Sequence, residues 1–276
     1  MHYALCTLHF FYLMKNWRYA NASVIGQAHI NQETVCQDRL LCRTIETKSD
    51  GEVFISVVAD GAGSTSHGQI GAEIACETFV SQISDFLNSG NASVASLNED
   101  FGKYWIKFCQ AKIKRSADEE KKEIRDFAST LVGAVVGENA TVFYQVGDGG
   151  AVFSADGKNE SYRFGIEPSE SEYVNTTEFL TDETATESLR FVLIKEKIED
   201  LILFSDGIFA VAVDYQKNKP HEPFLMPMIA PLRNGNSANG LNEKLENFLA
   251  SPKLNEKTDD DKTIILASRH EAETRA

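Results

Sequence analysis

The chain has 276 residues, of which 42% are hydrophobic and 25% charged, a composition typical of globular proteins and not of fibrous or disordered ones. Asp and Glu number 41 against 27 Lys and Arg, which gives a formal net charge of −14. This charge argues against a nucleic-acid binder and against binding to anionic membranes, because both ligands attract cationic surfaces. Five cysteines without a CxxC pair indicate a reduced, cytoplasmic protein.

The first half of the chain combines predicted strands with two predicted helices. Residues 1–14 are apolar and aromatic, and since no basic residue precedes them, they are interpreted as an extension or a first strand rather than a secretory signal. Two runs rich in β-branched residues flank the turn Ser49-Asp50-Gly51, which predicts a β-hairpin. The spacing of apolar residues predicts the helices. In chain order, the elements are strands at 23–27, 39–47 and 52–59 and helices at 69–87 and 97–125.

The second half of the chain returns to strands joined by short turns. Because regular βαβ alternation is missing, the pattern favours antiparallel sheets with helices packed outside them, an α+β fold. We expect a single domain over residues 1–276, with a core at about 16–268 and an irregular acidic insertion at 155–188. The remaining predicted elements are strands at 128–136, 140–146, 151–154, 189–194, 201–204 and 263–267 and a helix at 241–249.

Aspartates recur at the ends of the predicted strands. An apolar strand runs into Asp-Gly at Asp60-Gly61, Asp148-Gly149 and Asp206-Gly207, while Asp38 and Asp260 shortly precede strands. A single Asp-Gly pair is ordinarily only a turn. If these strand ends converge at one edge, however, the carboxylates repel each other, and divalent cations relieve that repulsion. Oxygen ligands select Mg²⁺ or Mn²⁺, and the lack of Cys/His spacing disfavours zinc.

An ordered series of short motifs along the chain resembles the metal-dependent protein phosphatase family, the type 2C Ser/Thr protein phosphatases, in its bacterial branch. The motifs are Ala22-Ser23-Val24-Ile25-Gly26, Gln37-Asp38, Val58-Ala59-Asp60-Gly61-Ala62-Gly63, Ser129-Thr130-Leu131, Gly147-Asp148-Gly149, Ser205-Asp206-Gly207 and Asp260-Asp261-Lys262-Thr263. The resemblance implies a four-layer α-β-β-α sandwich, in which two antiparallel sheets are flanked by helix pairs. It also implies phosphoprotein substrates, with a Ser/Thr kinase or its targets as partners.

The resemblance further implies a site for two Mn²⁺ or Mg²⁺ ions and for a third, weaker one. Asp60 would bridge two ions, with the Gly61 carbonyl and Asp38 on one of them. Asp206 and Asp260 would hold the other ion, and Asp148, with Asp206, matches the third position. Asp60, Asp206 and Asp260 are thus the implied catalytic residues, in a reaction where a metal-activated water attacks phosphorus.

Three departures from the family pattern concern the substrate side of this site. Residues 30–36 contain no Arg to grip the phosphate, so His29 is the candidate contact, although a buried structural role fits this residue equally well. Ala62 stands where the animal enzymes carry a His, which leaves protonation of the leaving group to a metal-bound water or to His67. Gln37 replaces the more usual Glu and removes one charge from the site.

The sequence also offers two alternatives to this function. The spacing from Cys109 to Arg115 matches that of cysteine phosphatases, but it lies in a helical stretch without glycine, where the backbone amides are already bonded. A phosphatase-like module that binds a phosphoprotein or a kinase without hydrolysis is the other alternative. The presence of Asp60, Asp206 and Asp260 together favours the active enzyme over that module.

Overall fold

The computed structural model describes residues 15–155, 161–168, 177–234 and 240–271. The apolar start at residues 1–14 therefore lies outside the described residues, as do parts of the acidic insertion. The strands are β1 Lys15–Val24, β2 Arg39–Thr47, β3 Gly51–Ala59, β4 Leu131–Val136, β5 Thr141–Val146, β6 Gly150–Ser154, β7 Arg163–Phe164, β8 Arg190–Ile194, β9 Asp200–Phe204, β10 Val213–Asp214, β11 Lys219–Pro220 and β12 Lys262–Glu271. The α-helices are α1 Gln27–Asn31, α2 Gly68–Asn88, α3 Glu99–Glu120, α4 Phe209–Ala212, α5 Glu222–Arg233, α6 Leu241–Leu249 and α7 Pro252–Asn255.

Two antiparallel sheets of five strands form the centre of the described structure. The first sheet has the order β1-β12-β9-β6-β7, and the second has the order β2-β3-β4-β5-β8. The predicted hairpin is present, with Thr47 opposite Gly51 at its turn. Gly51 has a φ of +65°, a backbone conformation that a residue with a side chain rarely adopts.

Helices cover the outer face of each sheet, and a third apolar layer lies between the sheets. On the second sheet, Phe79 of α2 packs edge-on against Trp105 of α3, with ring centroids 5.5 Å apart. On the first sheet, the packed helices are α5 and α6. Phe54 and Phe143 of the second sheet meet Leu203 and Ile265 of the first at the interface. This arrangement confirms the predicted four-layer α-β-β-α sandwich.

Several boundaries differ from the sequence prediction for local reasons. The strand predicted at 23–27 instead ends at Val24, and α1 begins at Gln27. The helix predicted over 97–125 ends at Glu120, because Lys121 adopts a left-handed conformation with a φ of 57°. Each helix of the described residues is too short or too polar to cross a membrane.

Helix α5 was not predicted because its sequence contains proline at every fourth position. Pro227 and Pro231 lie inside the helix, where each proline costs roughly 3 kcal/mol in an isolated helix. The opposite face buries Leu225, Ile229 and Leu232 against the first sheet. Burial of such side chains contributes roughly 1.5–3 kcal/mol each, which is enough to offset the proline penalty.

Candidate metal centre

Carboxylates from both sheets converge where the strands end. Carboxylate oxygens of Asp60, Asp148 and Asp206 all lie within 4.8 Å of one another. Asp60 follows β3 and Asp148 follows β5, both of the second sheet, whereas Asp206 follows β9 of the first. The Asp-Gly pairs predicted to converge therefore do so, and the cluster lies at the edge of the sandwich where strand ends of both sheets come together.

Strand register brings Asp38 to the same place. Because Arg39 pairs with Ala59 in the hairpin, Asp38 and Asp60 extend the two strands side by side. The Ser205 hydroxyl donates a hydrogen bond of 2.7 Å to Asp38 Oδ2, and Ser205 in turn accepts one from the Thr263 N–H at 3.0 Å. Asp38 is 1% exposed and its Oδ1 has no hydrogen-bond partner in the described part of the chain, so one oxygen remains available to a cation.

Asp260 and Asp261 have different environments although they are adjacent. Both oxygens of Asp261 accept backbone N–H groups, Oδ1 from Gly26 at 2.7 Å and Oδ2 from Gln37 at 2.6 Å. Among the described residues, the Asp260 carboxylate accepts only the Asp261 N–H, at 2.8 Å through Oδ1. A Cβ built on Gly207 would lie 3.5 Å from Asp260 Cβ, which places Asp260 next to the Asp206 turn. Asp260 is therefore the member of this pair with an oxygen to offer a metal.

Thr130, which the sequence analysis named only as part of a motif, fixes the backbone of Asp60, the candidate bridging ligand. The Thr130 N–H donates to the Asp60 carbonyl at 2.8 Å, and the Asp60 N–H donates to Thr130 Oγ1 at 3.2 Å. Gly61 must lack a side chain, since a Cβ there would lie 2.3 Å from the Gly68 carbonyl carbon at the start of α2. These contacts fix the position of the Asp60 backbone at the end of β3.

Gln37 acts on this turn as a donor, which the more usual Glu could not do. With its amide nitrogen facing the turn, Gln37 donates to the Ala62 carbonyl at 3.0 Å and to the Gly61 carbonyl at 3.2 Å. The Gly61 N–H in turn donates to the Gln37 carbonyl at 3.3 Å. The substitution thus removes a charge and adds support for the Gly61 carbonyl.

Asp148 has a hydrogen-bond partner from the acidic insertion. The Thr177 hydroxyl donates to Asp148 Oδ2 at 2.6 Å. The Leu180 N–H donates to the Ser129 carbonyl at 2.8 Å, which ties the same segment to the chain just before β4. The described part of the insertion therefore contacts the carboxylate cluster rather than projecting freely into solvent.

Burial and mutual repulsion raise the pKa values of the clustered carboxyls. Burial raises the pKa of Asp38 to about 6, although hydrogen bonding, including that from the Ser205 hydroxyl, lowers it. Burial also raises the pKa of Asp60 and of Asp206 well above the ordinary value, and neighbouring carboxylates add to both shifts. The pKa of Asp260 is raised as well, chiefly by burial. Protons thus compensate the repulsion when no cation does.

The residues present fit divalent cations that prefer oxygen. The cluster offers carboxylate oxygens, and Asp38 Oδ1 and Asp206 Oδ1 are buried without a hydrogen-bond partner. Buried polar atoms are rarely left in this state unless something else binds them. Six or more oxygen ligands are typical of Mg²⁺ and Mn²⁺ sites.

The two histidines considered from sequence lie near the site but differ in burial. His29 is 5% exposed, and its Nδ1 lies 2.9 Å from Asp261 Oδ1, although the N–H bond does not point at that oxygen. Its burial favours the structural alternative over the phosphate contact. His67 precedes α2, packs against Phe127 in a tilted arrangement with ring centroids 5.0 Å apart, and has its Nδ1 2.6 Å from the Ser66 hydroxyl.

The electrostatics predict that the metal-free protein loses stability as the pH rises. A carboxyl whose pKa is raised on folding stabilises the fold fully below its unfolded pKa, near 4, and this contribution is lost as the pH rises through the folded value, about 6 for Asp38. For Asp38 the loss is on the order of 3 kcal/mol. The thermal midpoint in chelator should therefore fall between pH 4 and 7, and added Mn²⁺ should reverse the fall.

A matched pair of variants separates this effect from general charge repulsion. Asp38→Asn and Asp85→Asn remove the same charge, but Asp85 is exposed on α2. Asp38→Asn should flatten the pH dependence of the thermal midpoint in chelator, and Asp85→Asn should leave it unchanged. Equal slopes for both variants and the wild type would contradict the explanation.

Comparison with known proteins agrees with this geometry. Residues 25–250 match the family Protein phosphatase 2C. Serine/threonine-protein phosphatase 3 of Escherichia coli (strain K12) is 33% identical over 255 residues, covering 91% of this chain and 98% of that protein.

Solved structures share the fold at lower identity. Serine/threonine phosphatase Stp1 from Staphylococcus aureus is 16% identical with a TM-score of 0.57, covering 92% of this chain and 95% of that one. The catalytic domain of the phosphatase PstP, in complex with two manganese ions, is 15% identical with a TM-score of 0.57, covering 93% and 99%. The chain therefore belongs to the protein phosphatase 2C family of metal-dependent serine/threonine phosphatases.

Proposed function

We propose that this chain is a single phosphatase domain that hydrolyses phosphoserine and phosphothreonine in proteins, with the converging aspartates as its metal ligands. The observation that carries the proposal is the convergence of Asp60, Asp148 and Asp206 from three strand ends of two sheets. Carboxylates gathered in this way destabilise the fold unless cations or protons compensate their negative charge. The presence of all three carboxylates at one place therefore supports a cation-binding site. The same convergence disfavours a phosphatase-like module that only binds its partner.

The proposed ligand set follows the position of each free oxygen. Asp60, close to both Asp148 and Asp206, would be shared by two ions. Asp38, through its unpaired Oδ1, and the Gly61 carbonyl would hold one ion, while Asp206 and Asp260 would hold the other. Asp148, hydrogen-bonded to Thr177, is left for a third ion.

The chemistry needs no nucleophile from the protein. When bound, divalent ions supply an activated water as the nucleophile and positive charge for the phosphoryl oxygens. The protein's own residues orient this site: Ser205 fixes one oxygen of Asp38, and Thr130 fixes the backbone of Asp60. Catalysis is then mostly positioning and electrostatic stabilisation, as expected for phosphoryl transfer.

Further aspects of the proposal concern substrate and place of action. A phosphatase of this class acts on phosphoproteins, and we propose a Ser/Thr kinase or its targets as the physiological partners. The net charge of −14 supports a protein that binds neither nucleic acid nor anionic membranes. Cys36, Cys42, Cys76 and Cys109 are free thiols, which supports a reducing, cytoplasmic setting.

Loss of a central carboxylate should abolish the activity while leaving the fold intact. Asp60→Asn and Asp206→Asn each remove a ligand and also a repulsive charge, so the metal-free variants should be at least as stable as the wild type. Turnover of a phosphothreonine peptide with saturating Mn²⁺ should fall by roughly 1,000-fold or more, on the order of 4 kcal/mol in transition-state stabilisation.

The control for this experiment is the exposed Asp85→Asn, which should keep wild-type turnover. Thermal unfolding in chelator should show folded protein for all variants. Substantial turnover by well-folded Asp60→Asn would rule out the proposed ligand set.

Hydrolysis should depend on divalent cations. Turnover of an aryl phosphate and of a phosphothreonine peptide, each measured with Mn²⁺, Mg²⁺ and excess chelator, should be restored by the oxygen-preferring ions and lost in chelator. Peptide hydrolysis that persists in chelator would exclude a metal mechanism for this protein.

Cys109 should be dispensable for the chemistry. The thiol is 0% exposed on α3, and burial raises its pKa to about 12, so it stays protonated at neutral pH and is a poor nucleophile. Cys109→Ser should keep wild-type kcat in a folded protein, whereas inactivation of folded protein would revive the cysteine mechanism.

A further inference from the structure

Asp261 has an unusual position for a carboxylate at the edge of an acidic cluster, because backbone donors occupy both of its oxygens. The side chain is 1% exposed. Its Oδ1 accepts the Gly26 N–H at 2.7 Å, and its Oδ2 accepts the Gln37 N–H at 2.6 Å. Charge-assisted hydrogen bonds of this length are among the strong ones in proteins. Asp261 therefore needs no cation to remain in place.

The two backbone groups that Asp261 binds come from the other end of the chain. Gln37 lies 224 residues away and immediately precedes Asp38, whereas Asp261 itself immediately follows Asp260. The Asp261 side chain thus joins the segments that carry two proposed ligands, Asp38 and Asp260. Among the described residues, no other hydrogen bond joins the Gln37 backbone to β12 or to the residues just before it.

The contacts around Asp261 leave the joined segments little freedom. A Cβ on Gly26 would lie 2.2 Å from the Asp260 carbonyl carbon, and the Ala28 N–H donates to the Asp259 carbonyl at 2.9 Å. His29 packs against Asp261 Oδ1, while its Nε2 would lie 3.1 Å from a Cβ on Gly63, in the turn that follows Asp60. Segments bearing Asp38, Asp60 and Asp260 therefore pack around the buried pair of Asp261 and His29.

We propose that Asp261 is a positioning residue, which binds no metal itself but holds Asp38 and Asp260 at the spacing that the metals require. The inference rests on the proposed ligand roles of Asp38 and Asp260. Groups that hold metal ligands in place typically affect metal affinity or activity by about 10- to 100-fold when they are mutated. Asp261 contributes through the Gln37 and Gly26 amides, and His29 supports it by packing.

The test is Asp261→Asn, measured by direct Mn²⁺ binding in a calorimeter and by the Mn²⁺ concentration for half-maximal turnover of an aryl phosphate. Asn keeps one acceptor oxygen, but its NH₂ group must face one of the two backbone N–H groups, so one hydrogen bond is lost. The Kd for Mn²⁺ and the Mn²⁺ concentration for half-maximal turnover should each rise by about 10- to 100-fold. At saturating Mn²⁺, kcat should recover at least in part.

The matched control is Asp259→Asn, which removes the same charge next to Asp260 from an exposed side chain. This variant should bind Mn²⁺ within about twofold of the wild type, since it loses charge but no hydrogen bond to Gly26 or Gln37. Unchanged Mn²⁺ binding by Asp261→Asn, or an equal loss in both variants, would overturn the positioning role.

A further test uses the wild-type protein and therefore does not require any variant to fold. The amide protons of Gly26 and Gln37 should resonate well downfield in the NMR spectrum without metal, because both donate short bonds to a carboxylate. Ordinary shifts for both protons would overturn the proposal even if Asp261→Asn does not fold.

Asp260→Asn separates this inference from the proposed function. If Asp260→Asn is inactive while Asp261→Asn binds Mn²⁺ like the wild type, only the positioning role of Asp261 is contradicted. If Asp260→Asn instead bound Mn²⁺ normally, the ligand assignment would fail, and the positioning role would fail with it.

Discussion

Repulsion among buried carboxylates is the constraint that shapes this end of the molecule. Asp38, Asp60 and Asp206 are drawn together from different strands, and burial, with neighbouring carboxylates, raises the pKa of each carboxyl. A flexible chain would relieve the repulsion by moving these residues apart. The fold must therefore supply rigid attachment, and the sheets with the apolar layer between them provide it.

The attachment works by placing the carboxylates at strand ends, where hydrogen-bond register fixes their positions. In the hairpin, the pairing of Arg39 with Ala59 sets Asp38 beside Asp60. In the first sheet, Ile264 pairs with Phe204, which sets Ser205 beside Thr263 and leads the chain directly into Asp206. A slip of one residue would turn these side chains to the opposite face, so the apolar pattern that fixes the register also fixes the site.

The parts of this arrangement that sequence predicts are those encoded by short-range patterns. Alternating and β-branched runs locate the hairpin, and three strand-to-Asp-Gly transitions locate the cluster. Helix α5 was missed because its prolines are local signals against a helix, and only its burial against the first sheet outweighs them. The roles of Thr130 and Asp261 were also missed, since each depends on partners 70 or 224 residues away. Such partnerships become visible only when the sheets are assembled.

Chemically identical side chains at this edge divide into two kinds according to the donors that reach them. Asp261 receives two backbone N–H groups and links two segments of the chain, whereas Asp38 receives one hydroxyl and keeps a buried oxygen without a partner among the described residues. The number of donors, more than the burial that both residues share, decides which carboxylate remains available to a cation. Since Gln37 offers its side-chain amide to the Gly61 turn and its backbone N–H to Asp261, one residue supports the turn beside Asp60 and satisfies the structural carboxylate as well. The uneven distribution of protein donors over these acids thus leaves an oxygen of Asp38, but none of Asp261, without a partner among the described residues.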